Sequence, residues 1–451
     1  MVRTSPSAPA LVALHFTGTK AKKPSARAAL ALLLGLGGAS VHAAPGNAAA
    51  LTLGEAIRLA EQRSQQLPAY EASAQAARDM AVAAGQRPDP TVTLGVNNLP
   101  INGPERFSVT QDFMTMRSVS VMQQFTRQSK LEARSNRYER EAQAAEADRQ
   151  LARTNLERDT SIAWLDRYFA EQSRAFLIAE RYEAKLQVQA AEAAYRGARG
   201  SQADVFAART AVAQIEDRIE QAQQQVTSAK TQLSRWVGAS ANEPLAAPPA
   251  TDVVLLHRHD LKAELSHHPE IAAMLRQEAV AQAAVDEARA EKKPDFSAEL
   301  MYSQRGPGYS NLVSFNVSFP LEWDQTDRQD RELAAKLAAV EQMRDERQEA
   351  TRAHVAEAET MLQEWDADRK RLQRYDESLL PLATERTQAA LAAYRGGAGP
   401  LEAVLDARRA EVDAHLDRLR LQAEAARLWA QLNALASGHP EHADAAPEDP
   451  Q

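Results

Sequence analysis

Four short stretches of the chain alternate between apolar and polar residues, a pattern typical of β-strands with one apolar face. They are Thr91–Asn97, Ser118–Phe125, Phe296–Ser303 and Leu312–Phe319. In the last stretch, Val313, Phe315 and Val317 face one way, while serine and asparagine face the other. The pattern therefore predicts two pairs of short strands.

Most of the remaining sequence has helical periodicity. The predicted helices are Leu53–Gly85, Ser129–Arg196, Gln202–Val237, Asp260–Lys293, Arg328–Arg395 and Leu401–Ala436. Prolines predict interruptions at Pro68, Pro269 and Pro381, because proline cannot donate a backbone hydrogen bond. The sequence between Ser129 and Arg196 contains neither proline nor glycine. We therefore predict one unbroken helix there.

The lengths of these helices suggest how they pack. The two long predicted helices, of about 68 residues each, are roughly 100 Å long. The other four are about half that length, so two of them laid end to end match one long helix. Long helices that bury only a narrow alanine-rich stripe need coiled-coil neighbours. We therefore expect long helices, each packed against half-length helices stacked end to end.

The chain repeats itself at a period of about 200 residues. The segments Tyr195–Arg209 and Tyr394–Arg408 are identical at seven of fifteen positions. Trp164 matches Trp365, and a Pro-Asp pair precedes the first strand of each half. A period this long indicates a duplicated half of a domain. We assign residues 44–250 to the first repeat and residues 251–436 to the second, each containing a helix, a strand pair and a long helical hairpin.

Both ends of the chain differ from the repeats. Residues 1–43 combine a basic segment, an apolar run of about ten residues and small residues near Ala43, which are the parts of a secretory signal peptide. A membrane anchor would need about 20 apolar residues. Residues 437–451 are polar and contain proline, so we expect a disordered tail.

Composition narrows the function classes. The 451 residues include no cysteine and only 5% aromatic residues, which excludes disulfides and thiolate metal sites and fits long helices with small side chains. A net charge of −8 argues against nucleic acid as a partner. No phosphate-binding glycine loop, nucleophile elbow or HExxH motif is present, so we do not expect an enzyme.

Four alternating strands suit a wall between lipid and water, and a sheet in hydrocarbon must close on itself. Single-chain barrels start at about eight strands, so closure needs several copies of this chain. Two copies would give eight strands and three would give twelve. The alternative is a small soluble sheet packed against the helices.

The layout and the turn motifs resemble the TolC-like outer-membrane efflux factors. The resemblance begins at Leu51–Ala56 and is most specific at Tyr394, Gly397 and Val404–Ala407. It implies a mainly α-helical fold in which three protomers share a twelve-stranded β-barrel, continued by an α-helical tunnel through the periplasm. It further implies a homotrimer in outer-membrane lipid that docks a periplasmic adaptor protein and an inner-membrane pump of the RND type. No cofactor is implied.

The resemblance also assigns residues to the periplasmic tips. The pore constriction would contain Asp204, Asp406, Tyr195 and Tyr394. The tip turns and the adaptor-docking surface would contain Gly197, Gly200, Gly396, Gly397, Gly399, Val205, Val404 and Leu405. The second-tip glycines suit the positive φ values of a tight turn. The alternative for both aspartates is a solvated residue early in a helix, favoured there by the helix dipole.

The cargo is the least determined part. Met114, Met116 and Met122 resemble the heavy-metal branch of the family, and thioethers bind Cu(I) or Ag(I). Packing of the barrel or its loop explains the same methionines, and drug export is the alternative cargo. The pairs His257/His259 and His267/His268 follow a proline-rich linker, with Asp260 and Glu270 near, and are better explained as a solvated linker than as a metal site.

Two other protein classes also contain long helices. A periplasmic adaptor should have one hairpin inserted into glycine-rich β-domains, whereas this chain has two predicted hairpins and four alternating strands. A secreted coiled-coil structural protein would explain the helices but neither the strands nor the duplication. We therefore expect an efflux duct.

Overall fold

The first half of the chain forms its elements in the predicted order. The computed structural model describes residues 50–256 and 261–436. The first elements are α1 (Leu53–Arg63), α2 (Gln66–Ala84), β1 (Thr91–Asn97), β2 (Met116–Phe125), α3 (Gln128–Arg196) and α4 (Gln202–Val237). The predicted signal peptide and tail, together with His257, His259 and Asp260, lie outside the described residues.

The second half repeats this order with one further interruption, within its long helix. Its elements are α5 (Leu261–Ser266), α6 (Pro269–Glu291), β3 (Phe296–Gln304), β4 (Leu312–Ser318), α7 (Gln329–Arg374), α8 (Leu380–Arg395) and α9 (Leu401–Ala436). A π-helical turn, Tyr375–Leu379, joins α7 to α8 directly before Pro381. The predicted interruption is therefore a widened turn within a continuous helix.

The predicted break in the opening helix is confirmed. It falls at Ser64 and Gln65, and Pro68 occupies the third position of α2. Proline is tolerated in the first turn of a helix, where its missing N–H has no intrahelical partner. The Ser64 hydroxyl accepts a hydrogen bond from the backbone N–H of Leu67 at 3.4 Å, so the break also begins the next helix.

Half-length helices meet near the middle of α3, as the length argument predicts. Trp164 is fully buried there, and its Nε1 donates to the carbonyl of Leu51 at 3.1 Å. Leu51 precedes α1, and its backbone N–H donates to the carbonyl of Pro244, just beyond α4, at 2.8 Å. The chain entering α1 and the chain leaving α4 therefore join over one buried tryptophan.

The duplication places Trp365 at the corresponding position of the second half. This side chain packs in a core with Leu261, Leu265 and Leu432, which come from α5 and α9. The second junction therefore has the same elements as the first. It differs in one bond, because Trp365 Nε1 is buried without a hydrogen-bond partner among the described residues.

The four strands form one antiparallel sheet in the order β1-β2-β3-β4. Residue pairs along it include Val92 with Val121, Val121 with Leu300, and Leu300 with Phe315. The two strand pairs are therefore joined side by side, and β1 and β4 are the edges of the sheet in the described part of the chain.

Buried charges fasten the sheet to the helices. Lys130, in the first turn of α3, is 5% exposed, and its Nζ lies 3.1 Å from Glu291 and 3.3 Å from Asp295. Asp295 also accepts a hydrogen bond from the backbone N–H of Arg127 at 3.1 Å, directly before α3. The Pro-Asp pair of the second half thus fixes the point at which the first long helix leaves the sheet.

Candidate functional site at the helix tips and the sheet

The two helix tips have the same backbone hydrogen bonds. In the first tip, the N–H groups of Gly197 and Arg199 donate to Ala193 and Ala194 at 3.0 and 2.9 Å. In the second, the N–H groups of Gly396 and Ala398 donate to Ala392 and Ala393, both at 2.9 Å. The sequence repeat is therefore also a repeat of turn geometry.

Each tip has one residue with a left-handed backbone. It is Gly397 (φ 72°) in the second tip and the equivalent Ala198 (φ 52°) in the first. The prediction that Gly396 and Gly399 adopt positive φ is wrong, since neither does. Gly399 is instead needed for close approach, because a Cβ there would lie 3.2 Å from the Cβ of Ala393.

This difference between the tips gives opposite expectations for two substitutions. A left-handed backbone costs a non-glycine residue about 1–2 kcal/mol. Glycine avoids this strain but loses more conformational entropy on folding, so the net advantage of glycine is smaller than the strain alone. We expect Ala198→Gly to raise the free energy of unfolding by roughly 0.5–1 kcal/mol and Gly397→Ala to lower it by a similar amount. Urea unfolding followed by circular dichroism measures both. Shifts of the same sign in the two variants would contradict the equivalence of the turns.

The two tips pack against each other. Val205 and Val404 are 7% and 1% exposed and lie in one cluster with Ala191, Ala208 and Leu401. The side chains of Val205 and Val404 therefore join the two hairpins. The prediction that these two side chains form a docking surface is wrong, because they are buried. Leu405 is only half-buried at the edge of this cluster.

The tip tyrosines differ in their surroundings. Tyr195 is half exposed, whereas Tyr394 packs against the apolar tip cluster and its hydroxyl is buried without a hydrogen-bond partner among the described residues. The duplication therefore did not preserve the surroundings of this side chain.

The two tip aspartates also differ. The Asp204 carboxylate accepts from the backbone N–H of Ser201 at 2.7 Å, and the Ser201 hydroxyl accepts from the N–H of Asp204 at 3.1 Å. This capping box supports the helix-start interpretation of Asp204. Asp406 is exposed, and its carboxylate has no hydrogen bond or ion pair within the described residues.

One ion pair braces the first hairpin just behind its tip. Arg209 of α4 donates to the carboxylate of Glu192 of α3 at 2.7 Å. This hydrogen bond, together with the charges of Arg209 and Arg196, holds the pKa of Glu192 below its usual value. The pair is exposed, so its contribution to stability is small.

At the other end of the hairpins, one face of the sheet is continuously apolar and exposed. Two rows cross all four strands: Val92, Val121, Leu300 and Phe315, followed by Leu94, Val119, Tyr302 and Val313. Every member of these rows is at least 40% exposed. The opposite face includes Thr93, Ser120 and Ser314. The predicted alternation is therefore confirmed, and the apolar face lies away from any core in this chain.

The structure does not bring the three candidate methionines together. Met114 lies in the loop before β2, where its backbone N–H donates to Asp112 at 2.9 Å. Met116 and Met122 lie in β2 and share its polar face. Six residues of strand separate them by about 20 Å. They therefore do not form one ligand set.

Sequence reasoning missed two side chains. Phe206, directly beyond the first tip, is 55% exposed although it follows the buried Val205. Helical periodicity could have placed it on the outer face. His354 of α7 lies 3.1 Å from Glu270 of α6, a contact that no local pattern in the sequence indicates.

Comparison with known proteins gives matches in sequence and in fold. Residues 261–438 match the family model described as outer membrane efflux protein. No curated protein sequence matches the chain. The fold is similar to that of the outer-membrane channel OprN, with 17% identity over 86% of this chain and 90% of that one and a TM-score of 0.71.

Two further structures have similar folds. VceC, an outer membrane protein of Vibrio cholerae, is 20% identical, with 85% of this chain and 96% of that one covered and a TM-score of 0.69. CusC, described in connection with transmembrane channel formation, is 15% identical, with 87% and 95% covered and a TM-score of 0.69. The matched family segment is the second half of a duplicated chain, and the fold match extends over both halves. The second half of the chain therefore matches the outer membrane efflux protein family, and the two halves together share the fold of outer-membrane channels.

The family match of the second half and the shared fold distinguish between the protein classes that the sequence left open. The family is one of transport ducts and not of enzymes. It places the protein in the outer membrane, extending into the periplasm. An adaptor with one hairpin in glycine-rich β-domains does not fit two hairpins joined to one four-stranded sheet.

None of the helices within residues 50–256 and 261–436 is both long and apolar enough to cross a membrane.

Proposed function

We propose that the protein is the outer-membrane exit duct of a tripartite efflux system, with three copies sharing one twelve-stranded barrel. The observation that carries this proposal is the exposed apolar face of the sheet, bounded by the unpaired edges of β1 and β4. A sheet in lipid must satisfy its edge N–H and C=O groups, so each edge needs a strand from another copy. A periplasmic adaptor and an RND-type inner-membrane pump complete the system.

Cysteine cross-linking tests how many copies close the sheet. The native chain has no cysteine, so an introduced pair has no competing thiol. Thr93 of β1 and Ser314, Asn316 and Ser318 of β4 all lie on the polar face. We expect Thr93→Cys to form a disulfide with one of Ser314→Cys, Asn316→Cys or Ser318→Cys when both changes are in the same chain.

The largest covalent species then gives the number of copies. Oxidation of outer membranes should yield a ladder that ends at three chains, because the contact runs head to tail around a ring. Each single-cysteine variant is the control and should remain a monomer on a denaturing gel. A ladder that ends at two chains would replace the proposal with an eight-stranded barrel, and no ladder in all three pairs would refute edge pairing.

We further propose that Asp406 forms the constriction at the periplasmic end. Three carboxylates around one axis would repel each other and attract cations. The Asp406 carboxylate is exposed and has no partner among the described residues, whereas the Asp204 carboxylate accepts a hydrogen bond from Ser201. This difference favours Asp406 as the constriction residue. Adaptor docking would then act on the outer surface of the tips, where Phe206 and Leu405 are more accessible than the buried valines.

Single-channel conductance in planar bilayers tests this assignment. Asp406→Ala should raise the conductance, because it removes a ring of charge and volume from the narrowest point. Asp204→Ala removes the same charge from the same end of the molecule, and should lower thermal stability through loss of the capping box while leaving conductance close to wild type. The reverse result would assign the constriction to Asp204, and unchanged conductance in both variants would remove the aspartates from it.

The methionine geometry gives no support for one class of cargo over another. Met116 and Met122 are too far apart along β2 to bind one soft metal ion together. These methionines therefore do not support heavy-metal export. A duct passes its cargo without binding it tightly. We therefore propose the duct function without a preference for metal ions over organic compounds.

A further inference from the structure

Three metal-ligating side chains meet where α6 begins beside α7. His268, Glu270 and His354 each contribute one possible ligand atom, and these atoms lie within 4.8 Å of one another. The Nε2 of His354 is 3.1 Å from a carboxylate oxygen of Glu270. The two imidazole rings are 5.3 Å apart between centroids. The cluster joins two helices that are separated by the strand pair in the sequence.

The cluster is closed on one side and open on the other. His268 is 5% exposed and the side chain of His354 is 14% exposed, whereas that of Glu270 is 44% exposed. The two imidazoles therefore lie on the side of the cluster that is shielded from solvent. The Glu270 carboxylate lies on the solvent side, from which an ion and a water molecule can enter.

The protonation state of His268 suits a ligand. Burial, the neighbouring His354 and the charge of Arg158 lower the pKa of His268 to about 4. Its imidazole is therefore neutral at physiological pH, and a metal ion binds the neutral form.

The structural role of His268 does not account for the whole cluster. Its Nδ1 accepts a hydrogen bond from the backbone N–H of Glu270 at 3.3 Å and so caps α6. Asparagine or aspartate would cap a helix equally well. The cap also gives no reason for His354 to lie against the same ring, nor for the carboxylate of Glu270 to complete the group.

His354 contains an unpaired buried atom that a metal ion would explain. Its Nδ1 is buried and has no hydrogen-bond partner among the described residues, although a carboxylate oxygen of Glu357 lies 3.9 Å away. A metal-bound histidine commonly donates its other N–H to a carboxylate. With the ion on Nε2, the proton sits on Nδ1, and a small movement of Glu357 provides that acceptor.

We propose that His268, Glu270 and His354 bind a resident divalent cation of the Zn²⁺ type. Two imidazoles and one carboxylate suit Zn²⁺, Ni²⁺, Co²⁺ or Cu²⁺, whereas Mg²⁺ and Ca²⁺ prefer oxygen ligands alone. Three protein ligands leave the fourth tetrahedral position to water on the open side. Metal binding through either ring nitrogen of His268 replaces the long 3.3 Å capping bond, because that bond uses the one unprotonated nitrogen of the neutral ring. The ion would fasten the start of α6 to the middle of α7, independently of the cargo and of the duct function.

Competition with a chromophoric chelator tests this site on the purified full-length protein. With Zn²⁺ as the probe, we expect one equivalent bound per chain. His354→Gln and Glu270→Gln should weaken binding by more than the roughly 10- to 100-fold that loss of an outer-shell partner costs. His415→Gln is the matched control, because His415 contacts Phe176 on another pair of helices, and it should bind Zn²⁺ as wild type does. His268→Asn should lose Zn²⁺ while it keeps a capping side chain on α6.

Two results would overturn the proposal. One is a wild-type chain that does not compete with the chelator for Zn²⁺, and the other is unchanged affinity in His354→Gln. If a variant does not fold, Co²⁺ added to the wild-type chain still decides the matter. Intense visible absorption of a tetrahedral Co²⁺ site, lost on addition of Zn²⁺, supports the site, whereas the weak spectrum of hydrated Co²⁺ refutes it.

Discussion

Phe315→Arg is expected to destabilise the assembled protein by about 2–4 kcal/mol, the cost of an arginine on the lipid face of a barrel near the middle of the bilayer. Phe315 is 69% exposed and lies beside Leu300 in a row of apolar side chains that crosses the sheet. The amount of heat-modifiable oligomer recovered from outer membranes measures this loss of assembly. Val313→Arg and Val317→Arg on the same face should also reduce assembly.

The neighbouring residue supplies the control. Ser314 lies on the opposite face of the same strand and pairs with Met301, so Ser314→Arg introduces the same side chain without exposing it to lipid. We expect this variant to assemble close to the wild-type level. Equal assembly of the Phe315 and Ser314 variants would mean that the apolar face does not contact lipid.

Trp164→Ala is expected to lower the free energy of unfolding by about 3–5 kcal/mol, as is usual for truncation of a fully buried aromatic residue. The change leaves a cavity where α1, α3 and the end of α4 meet. Urea unfolding followed by helical circular dichroism measures the loss.

The duplicated tryptophan separates packing from hydrogen bonding. Trp164→Phe should cost about 1 kcal/mol beyond the change in packing, because it removes the bond from Nε1 to Leu51. Trp365→Phe should lack this additional cost, since Trp365 Nε1 has no described partner. Equal losses in the two phenylalanine variants would show that the Leu51 bond contributes nothing measurable.

Much of the fold could be predicted from the sequence because its signals are local. The alternation of Val92, Leu94 and Val96 predicts a strand and its apolar face together. The long run without proline or glycine predicts α3 to within one residue of its start. Helix lengths then predict the stacking, since they depend only on the rise per residue.

The parts that could not be predicted depend on contacts between distant residues. The burial of Val205 and Val404 results from packing of one tip on the other, which the pattern of either tip alone does not contain. The meeting of His268 with His354 depends on the alignment of α6 with α7. The different roles of Asp204 and Asp406 depend on where each lies in its helix. Asp204 is the third residue after Ser201 and completes the capping box, whereas the equivalent position after Pro400 is Ala403, and Asp406 lies nearly one turn further along.

The open edges of β1 and β4 have a consequence for the life of a newly made chain. An edge strand beside a bare apolar face is a template for unwanted pairing and aggregation. Before assembly, each copy would therefore be at risk of misfolding, and the risk grows with the time that the copy spends alone in the aqueous compartment. Delivery by a chaperone, or pairing with other copies as soon as the hairpins have folded, would shorten that time. The N–H and C=O groups at the edges of β1 and β4 that close the finished sheet therefore also set how fast a new chain must assemble.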